Sequence, residues 1–245
     1  MNISIQKDPE SLGIEAAKKA AMFIREAIQS NGNANIILAT GSSQFETLKQ
    51  LIEEKDIEWN KVTMFHLDEY IGLPLSHKAS FRKYLKERFL DKVPPLGAVH
   101  LINGETDPQQ ECDRLGDLIR KSPIDVALVG IGENGHLAFN DPPADFDTEQ
   151  PYIIANLDRE CKQQQVNEDW FGSVEDVPKQ AISISVKQIM LSKHIVCSVP
   201  GARKAKAVKD CLEQEVSNVY PASILQNHAD CYLFLDEPSA SLLKR

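Results

Sequence analysis

Residues 125–129 read DVALV, and the glycine-rich stretch GIGENGHLAFNDPP follows directly at 130–143. A short apolar run bounded by turn-forming residues is typical of a strand that is buried on both faces. Such strands belong to parallel sheets that are covered by helices. This stretch therefore predicts an α/β protein in which a glycine-rich loop leaves the carboxyl end of a central strand, where ligands of such sheets bind.

The rest of the chain repeats this alternation of strand and helix. Apolar runs predict further strands at 35–39, 62–67, 194–199 and 231–235, and helical spacing predicts helices at 12–29, 43–54, 79–91, 107–121 and 202–213. We expect a doubly wound, mostly parallel sheet with helices on both faces, formed by residues 1–245 as a single domain. The polar, proline-containing stretch 142–178 gives no clean period, so we expect it to leave the core and act as a mobile cover.

Composition excludes several classes of protein. The chain has 27 Lys and Arg against 36 Asp and Glu, a net charge of −9, which argues against nucleic-acid binding. It contains no apolar run of the roughly 18 residues that a membrane span requires. The first ten residues lack the basic and apolar regions of a signal peptide. Five cysteines without a CxxC motif fit reduced thiols in a cytoplasmic protein rather than disulfides or structural zinc.

Residues 38–43, LATGSS, lead from a predicted strand into a helix. Gly41 permits a tight turn, and Ser42 or Ser43 is placed to cap the helix. The exposed amides of such a turn can hold a phosphate. A plain capped turn is the alternative, and the local sequence alone favours it.

Residues 66–70, HLDEY, place two adjacent carboxylates after an apolar strand. Burying them is costly unless they have partners or a function, and Asp68 at a strand end is well placed as a general base. A solvated turn is the alternative. A metal site formed by His66, Asp68 and Glu69 ranks below both interpretations, because Glu69 points to the opposite face of the strand.

The loop at 130–142 contains GxGxxG, the pattern of a dinucleotide-binding turn. That fingerprint needs a helix to start at the glycines, whereas Asn140, Asp141 and two prolines stop any helix here. What remains is a loop that presents His136 with Asp141 nearby. A carboxylate on one ring nitrogen raises the basicity of the other, which suits a proton shuttle. A buried histidine bonded to a carbonyl is the alternative.

Residues 199–205, VPGARKA, lead from another strand into a helix and place Arg203 and Lys204 in its first turn. Cations there oppose the helix dipole, and an anion bound between the amides and Lys204 would remove the conflict. A solvated basic face, continued by Lys206 and Lys209, is the alternative. Together the four loops indicate a phosphorylated small molecule that undergoes proton transfer.

At these same loops the chain resembles the glucosamine-6-phosphate deaminase (isomerase) family. The segments that carry the resemblance run in order from about Leu38 to Leu242: LATGSS, VTMFHLDEYIGL, LVGIGENGHLAFNDP, VPKQAISISVKQIM, GARKAKAV and YPASILQNHADCYLFLDEPSAS. The resemblance implies conversion of an amino-sugar 6-phosphate to fructose 6-phosphate and ammonia, with no metal and no cofactor.

The resemblance assigns catalytic roles to four residues. Asp68 matches the base that moves a proton between C2 and C1, and His136 matches the histidine that assists ring opening. Asp141 stands where many members have Glu, and Asn134 where many have Asp, so the negative charge beside the histidine would come from Asp141 alone. The resemblance also implies contacts to substrate and phosphate by Thr40, Gly41, Ser42, Ser43 and Lys204.

The chain departs from the family in the cover segment, where many members have an Arg just before an aromatic pair. Here residues 167–171 read NEDWF. Either Arg159, Lys162 or Arg203 substitutes for that Arg, or the substrate is held differently.

Three alternatives to this function remain. Galactosamine 6-phosphate is an alternative substrate, because pocket shape decides between epimers. 6-Phosphogluconolactonases share the fold family but typically read DER and GHxASLFP, where this chain has DEY and GHLAFN. A non-catalytic sugar-phosphate sensor would need a helix-turn-helix, whereas the residues before Leu38 supply only one helix and a short strand in an acidic chain. The expected partner is a small sugar phosphate, and a homo-oligomer stays open.

Overall fold

A seven-stranded parallel sheet forms the centre of the computed structural model, which describes residues 1–244. Its strands lie in the order β1-β10-β9-β6-β2-β3-β5, and every neighbouring pair is parallel. The strands of this sheet are β1 (Asn2–Gln6), β2 (Ala34–Leu38), β3 (Val62–His66), β5 (Ala98–His100), β6 (Val126–Val129), β9 (His194–Val199) and β10 (Cys231–Asp236). The expected parallel α/β sheet is confirmed.

A second sheet, which the sequence analysis did not predict, has three antiparallel strands in the order β4-β8-β7. They are β4 (Asp68–Tyr70), β7 (Tyr152–Asn156) and β8 (Gln180–Ile184). Leu67 alone separates β3 from β4: its amide donates to Leu38 of the first sheet (3.2 Å), and its carbonyl accepts from Ile184 of the second (2.9 Å). The residue that follows, Asp68, therefore lies at the junction of the two sheets.

Seven α-helices surround the sheets in the described part of the chain: α1 (Pro9–Asn31), α2 (Phe45–Leu51), α3 (Phe81–Leu85), α4 (Pro108–Ile119), α5 (Arg159–Asn167), α6 (Val186–Met190) and α7 (Ala205–Glu213). The Asp8 carboxylate caps α1 by accepting from the Ser11 amide (2.8 Å), and Gly32, with φ of +83°, ends it. Three predicted helices are shorter than expected. Short 3₁₀ turns precede α2 and α7, and a π turn follows α3.

The apolar core has two halves, one on each face of the parallel sheet. In β2, Ile36 and Leu38 pack with the side chains of α1, whereas Ile37 faces the half that contains residues of α4 and α7. Consecutive residues of this strand thus pack on opposite faces of the sheet, which explains why positions 36–38 are all apolar. No helix among residues 1–244 has both the length and the apolar character for crossing a membrane.

The cover segment 142–178 is more regular than expected. It contains β7, helix α5 and a 3₁₀ turn at Val174–Asp176, so the expectation of an irregular excursion was wrong. Its apolar residues, among them Cys161 and Phe171, join a third cluster with Tyr70 and Phe139. This packing could not be predicted from the sequence, because most side chains of α5 are polar and only a few of them face inward.

Candidate active site

A pocket opens where the carboxyl ends of the four neighbouring strands β9, β6, β2 and β3 meet. The chain runs from β2 outward through β3 and β5, then returns to β6 and continues outward on the other side. The gap between β2 and β6 is therefore the point at which the strand order reverses, where ligands of such sheets bind. Seven residues singled out from the sequence line the pocket: Thr40, Gly41, Ser42, Ser43, Asp68, His136 and Lys204.

The turn after β2 presents backbone amides to this pocket. Gly41 has φ of +85°, a conformation that favours glycine, and it precedes the 3₁₀ turn Ser42–Gln44. The Gly41 carbonyl accepts from the Tyr84 hydroxyl (3.1 Å), which fixes the turn. The expectation that Ser42 or Ser43 caps the helix was wrong, because neither side chain bonds a helix amide; the turn starts at Gly41 instead.

The turn after β9 brings one cation into the pocket. Lys204 ends a 3₁₀ turn that begins after Gly201, and it is only 6% exposed. Burial lowers the pKa of Lys204, while Glu168 and Glu133 oppose that effect. Its ammonium has no carboxylate within 4.0 Å among the described residues, so it is available to a bound anion. Arg203 instead donates to the Asn167 carbonyl (3.0 Å) outside the pocket.

Asp68 faces the pocket from the junction of the two sheets. It is 6% exposed, and burial, reinforced by the charge of Glu69, raises its pKa to about 8. Its Oδ1 is buried without a hydrogen-bond partner in the described chain. A carboxyl group in this state takes and returns a proton near neutral pH, as a general base must.

Glu69, the next residue, points away from Asp68, as expected for adjacent residues of a strand. Its carboxylate accepts from the Ser80 hydroxyl (2.9 Å) and the Arg82 amide (2.9 Å). His66 is fully buried, and burial lowers its pKa to about 3. The metal interpretation of His66, Asp68 and Glu69 is not supported, because these side chains do not converge among the described residues.

His136 reaches the pocket through a loop that fits closely around its ring. A Cβ atom on Gly132 would lie 2.2 Å from the His136 Cε1 atom, so only glycine leaves space for the imidazole. The ring Nδ1 lies 3.2 Å from Oδ1 of Asp141, but it does not point along that line well enough for a hydrogen bond. The pair is thus a close contact between the imidazole and the Asp141 carboxylate.

Asn134 and Asp141 lie behind His136 rather than on the pocket wall. The Asn134 Nδ2 donates both to Asp141 Oδ1 and to Asp158 Oδ2, each at 3.1 Å, while its Oδ1 accepts from the His136 amide (3.1 Å). The Asp158 amide donates to Asp141 Oδ2 (3.0 Å). Burial works to raise the pKa of Asp141, but the contacts with His136, Asp158 and Asn134 outweigh it, and the pKa is lowered. Asp141 is therefore a stable anion beside the imidazole.

Helix α5 and its C-terminal cap, Glu168, form the remaining wall and contribute three residues that were not predicted from the sequence: Gln164, Gln165 and Glu168. Asp158, also not identified, caps this helix by accepting from the Cys161 amide (2.6 Å). The capping pattern at Asp158 was readable from the sequence, but its contact with Asp141 was not. Arg159 and Lys162 do not line the pocket, so Lys204 is the only Lys or Arg on its described wall.

Comparisons with known proteins agree with this arrangement. The family described as glucosamine-6-phosphate isomerases/6-phosphogluconolactonase matches residues 7–233. A glucosamine-6-phosphate deaminase of Lactobacillus delbrueckii subsp. bulgaricus is 35% identical over 245 residues, covering all of both chains. One of Streptococcus suis is 38% identical over 232 residues, covering 94% of this chain and 96% of its own.

Solved structures show the same fold. A monomeric glucosamine-6-phosphate deaminase superposes with a TM-score of 0.90 at 31% identity, covering 99% of this chain and all of the other. A 6-phosphogluconolactonase from Thermotoga maritima reaches a TM-score of 0.79 at 17% identity, over 96% of this chain and 99% of the other, which shows the fold alone. From the span of the family match and the identity to full-length relatives, the chain belongs to the family of glucosamine-6-phosphate isomerases and 6-phosphogluconolactonases.

Proposed function

We propose that the chain is an amino-sugar 6-phosphate deaminase/isomerase that converts glucosamine 6-phosphate to fructose 6-phosphate and ammonia. The observation that carries the proposal is the pocket wall, on which a buried carboxyl group of raised pKa, an imidazole beside a carboxylate and an unpaired lysine face one space. The names of the full-length relatives point to the same reaction.

In this mechanism His136 opens the sugar ring. The imidazole takes the proton from the anomeric hydroxyl and returns one to the ring oxygen. Asp141 stabilises the imidazolium that forms in between, because its lowered pKa keeps it charged. Asn134 holds that carboxylate in place and supplies no charge of its own.

Asp68 then moves the proton from C2 to C1. The C2 proton passes to the Asp68 carboxylate while O1 of the open-chain aldehyde gains a proton, which gives an enolamine. Asp68 returns its proton to C1, and the nitrogen loses one, which leaves an imine at C2 of the ketose. Water adds at C2, ammonia leaves, and fructose 6-phosphate remains. The buried position of Asp68 protects the transferred proton from exchange with water.

Lys204 and the turn Thr40–Ser43 are proposed to hold the 6-phosphate. A phosphate dianion needs positive partners in a chain of net charge −9, and Lys204 together with free amides supplies them. The cover segment closes the same pocket from the side of α5. All the groups named belong to one chain, so we propose that a monomer is catalytically sufficient. We also propose a cytoplasmic location, in keeping with five free, buried cysteines.

A coupled assay of ammonia release tests the function. We expect release from glucosamine 6-phosphate and none from unphosphorylated glucosamine. Galactosamine 6-phosphate, tested in parallel, decides which epimer is preferred, and 6-phosphogluconolactone tests for hydrolase activity. Lactone hydrolysis without ammonia release from either amino-sugar phosphate would refute the proposal.

A further inference from the structure

The inner face of α5 and its C-terminal cap consists of Cys161, Gln164, Gln165 and the cap residue Glu168, of which the first three are buried. Their spacing of three and four residues places them on one side of the helix. Three of them line the pocket, so this face is a wall of two amides and a carboxylate.

Gln165 is the member of this face whose side chain is without a partner. Gln164 uses both ends of its amide, since its Oε1 accepts from the Glu133 amide (2.9 Å) and its Nε2 donates to Glu168 (2.9 Å). Gln165 as a whole is 5% exposed, and within residues 1–244 its side-chain amide makes no hydrogen bond, so the amide is open to the pocket that Gln165 lines. An amide that lines a pocket and has no partner in the described chain is free to hydrogen-bond a ligand there.

Gln165 and Lys204 line the same pocket. Cys161 lies four residues before Gln165 and Glu168 three residues after it, and both act on the charge of the Lys204 ammonium. Gln165 lies between them on the same face, which forms one wall of the pocket that Lys204 also lines.

Glu168 adds a negative charge to this wall, and that charge acts on Lys204. Its two carboxylate oxygens accept from Gln164 Nε2 (2.9 Å) and from Trp170 Nε1 (3.2 Å), which hold it in place. A carboxylate near a lysine lowers the positive potential that an incoming anion meets.

We propose that Gln165 donates a hydrogen bond to the same phosphate group that Lys204 neutralises, and that Glu168 weakens the hold of this site on the phosphate. This inference rests on the proposed function in naming the substrate as a phosphate ester. The amide of Gln165 thereby raises the affinity of the site for an anion, and the carboxylate of Glu168 lowers it. Lys204 is the one Lys or Arg among the described residues that line the pocket.

Calorimetric titration with fructose 6-phosphate and with inorganic phosphate tests this proposal without turnover. Gln165→Leu should weaken both ligands by roughly tenfold, the scale of one hydrogen bond to a charged group. Gln165→Glu, which keeps the shape and adds a negative charge, should weaken them further. Gln165→Arg and Glu168→Gln should each tighten both ligands by roughly threefold or more, because each makes the site more positive.

Gln163→Leu is the matched control, because Gln163 is exposed on the same helix and donates only to Asn167. It should leave both affinities unchanged, and thermal melting checks that every variant is folded. Equal affinities for wild type, Gln165→Leu and Gln165→Glu would overturn the proposal. So would a loss confined to fructose 6-phosphate, since Gln165 would then contact a sugar hydroxyl. The expected binding pattern without any ammonia release would support this inference while refuting the proposed function.

Discussion

Replacing Asp68 by asparagine should stabilise the protein at alkaline pH and remove its activity. Burial and the charge of Glu69 raise the pKa of Asp68 to about 8, far above the ordinary value of 3.8. Between these two pH values the folded chain holds a proton that the unfolded chain releases. The contribution of Asp68 to stability therefore falls as the pH rises from about 4 to about 8 and stays at its lowest above that.

The size of the effect follows from this difference in pKa. At 1.36 kcal/mol for each tenfold change in proton affinity, the wild type should lose on the order of 4 kcal/mol relative to Asp68→Asn between pH 5 and pH 9. The asparagine side chain has the same shape and no proton to release, so the stability of Asp68→Asn does not decrease in this way as the pH rises. Turnover should drop by roughly 10²-fold or more, because the general base is gone.

Urea unfolding at pH 5, 7 and 9 measures the change, with the ammonia assay run on the same preparations. Asp117→Asn is the control, because this carboxylate lies on α4 with its side chain 75% exposed. Its stability should follow that of the wild type across the range. If the curves for wild type and Asp68→Asn run parallel from pH 5 to pH 9, Asp68 ionises at an ordinary pH and the argument from burial fails.

Three further experiments test other parts of the site. Lys204→Ala should raise KM for the sugar phosphate by roughly tenfold or more with a smaller effect on kcat, since a charged contact is lost; an unchanged KM in initial-rate assays removes Lys204 from the site. Gly132→Ala should lower kcat by roughly 10²-fold, as loss of an acid–base group does, because its Cβ would lie 2.2 Å from the His136 ring. Wild-type kcat in that folded variant would contradict the role of His136. Asn134→Asp should lower both kcat and the melting temperature, because it places a third carboxylate against Asp141 and Asp158. Asp158→Asn in the same chain should restore much of the loss. Additive effects of the two substitutions in this double-mutant cycle would exclude an interaction between residues 134 and 158.

The parallel sheet was predictable because its strands are buried on both faces. β2, β6 and β9 are mostly apolar, and their observed bounds lie within a residue of the predicted ones. The antiparallel sheet was not predictable in this way. β4 consists of Asp68, Glu69 and Tyr70, three residues with the composition of a turn, and they form a strand only because β8 pairs with them.

The site was predictable to the extent that it follows from topology. The loops after β2, β3, β6 and β9 meet because parallel strands end at one edge, so Lys204, Asp68 and His136 could be placed together. Contacts between elements that are distant in the sequence could not be predicted from it. Asp158 reaches Asp141 across 17 residues, and α5 carries an outward polar surface that gave no indication of its inner face. The raised pKa of Asp68 likewise depends on burial that only the assembled sheets provide.

The transfer of deuterium from C2 of glucosamine 6-phosphate tests the central claim most directly. With substrate labelled at C2, NMR of the fructose 6-phosphate should show part of the label at C1, because the buried Asp68 carries the same proton from one carbon to the other. Asp68→Asn should form no labelled product on the same timescale. Undiminished product formation by Asp68→Asn, with the same label at C1, would contradict the account.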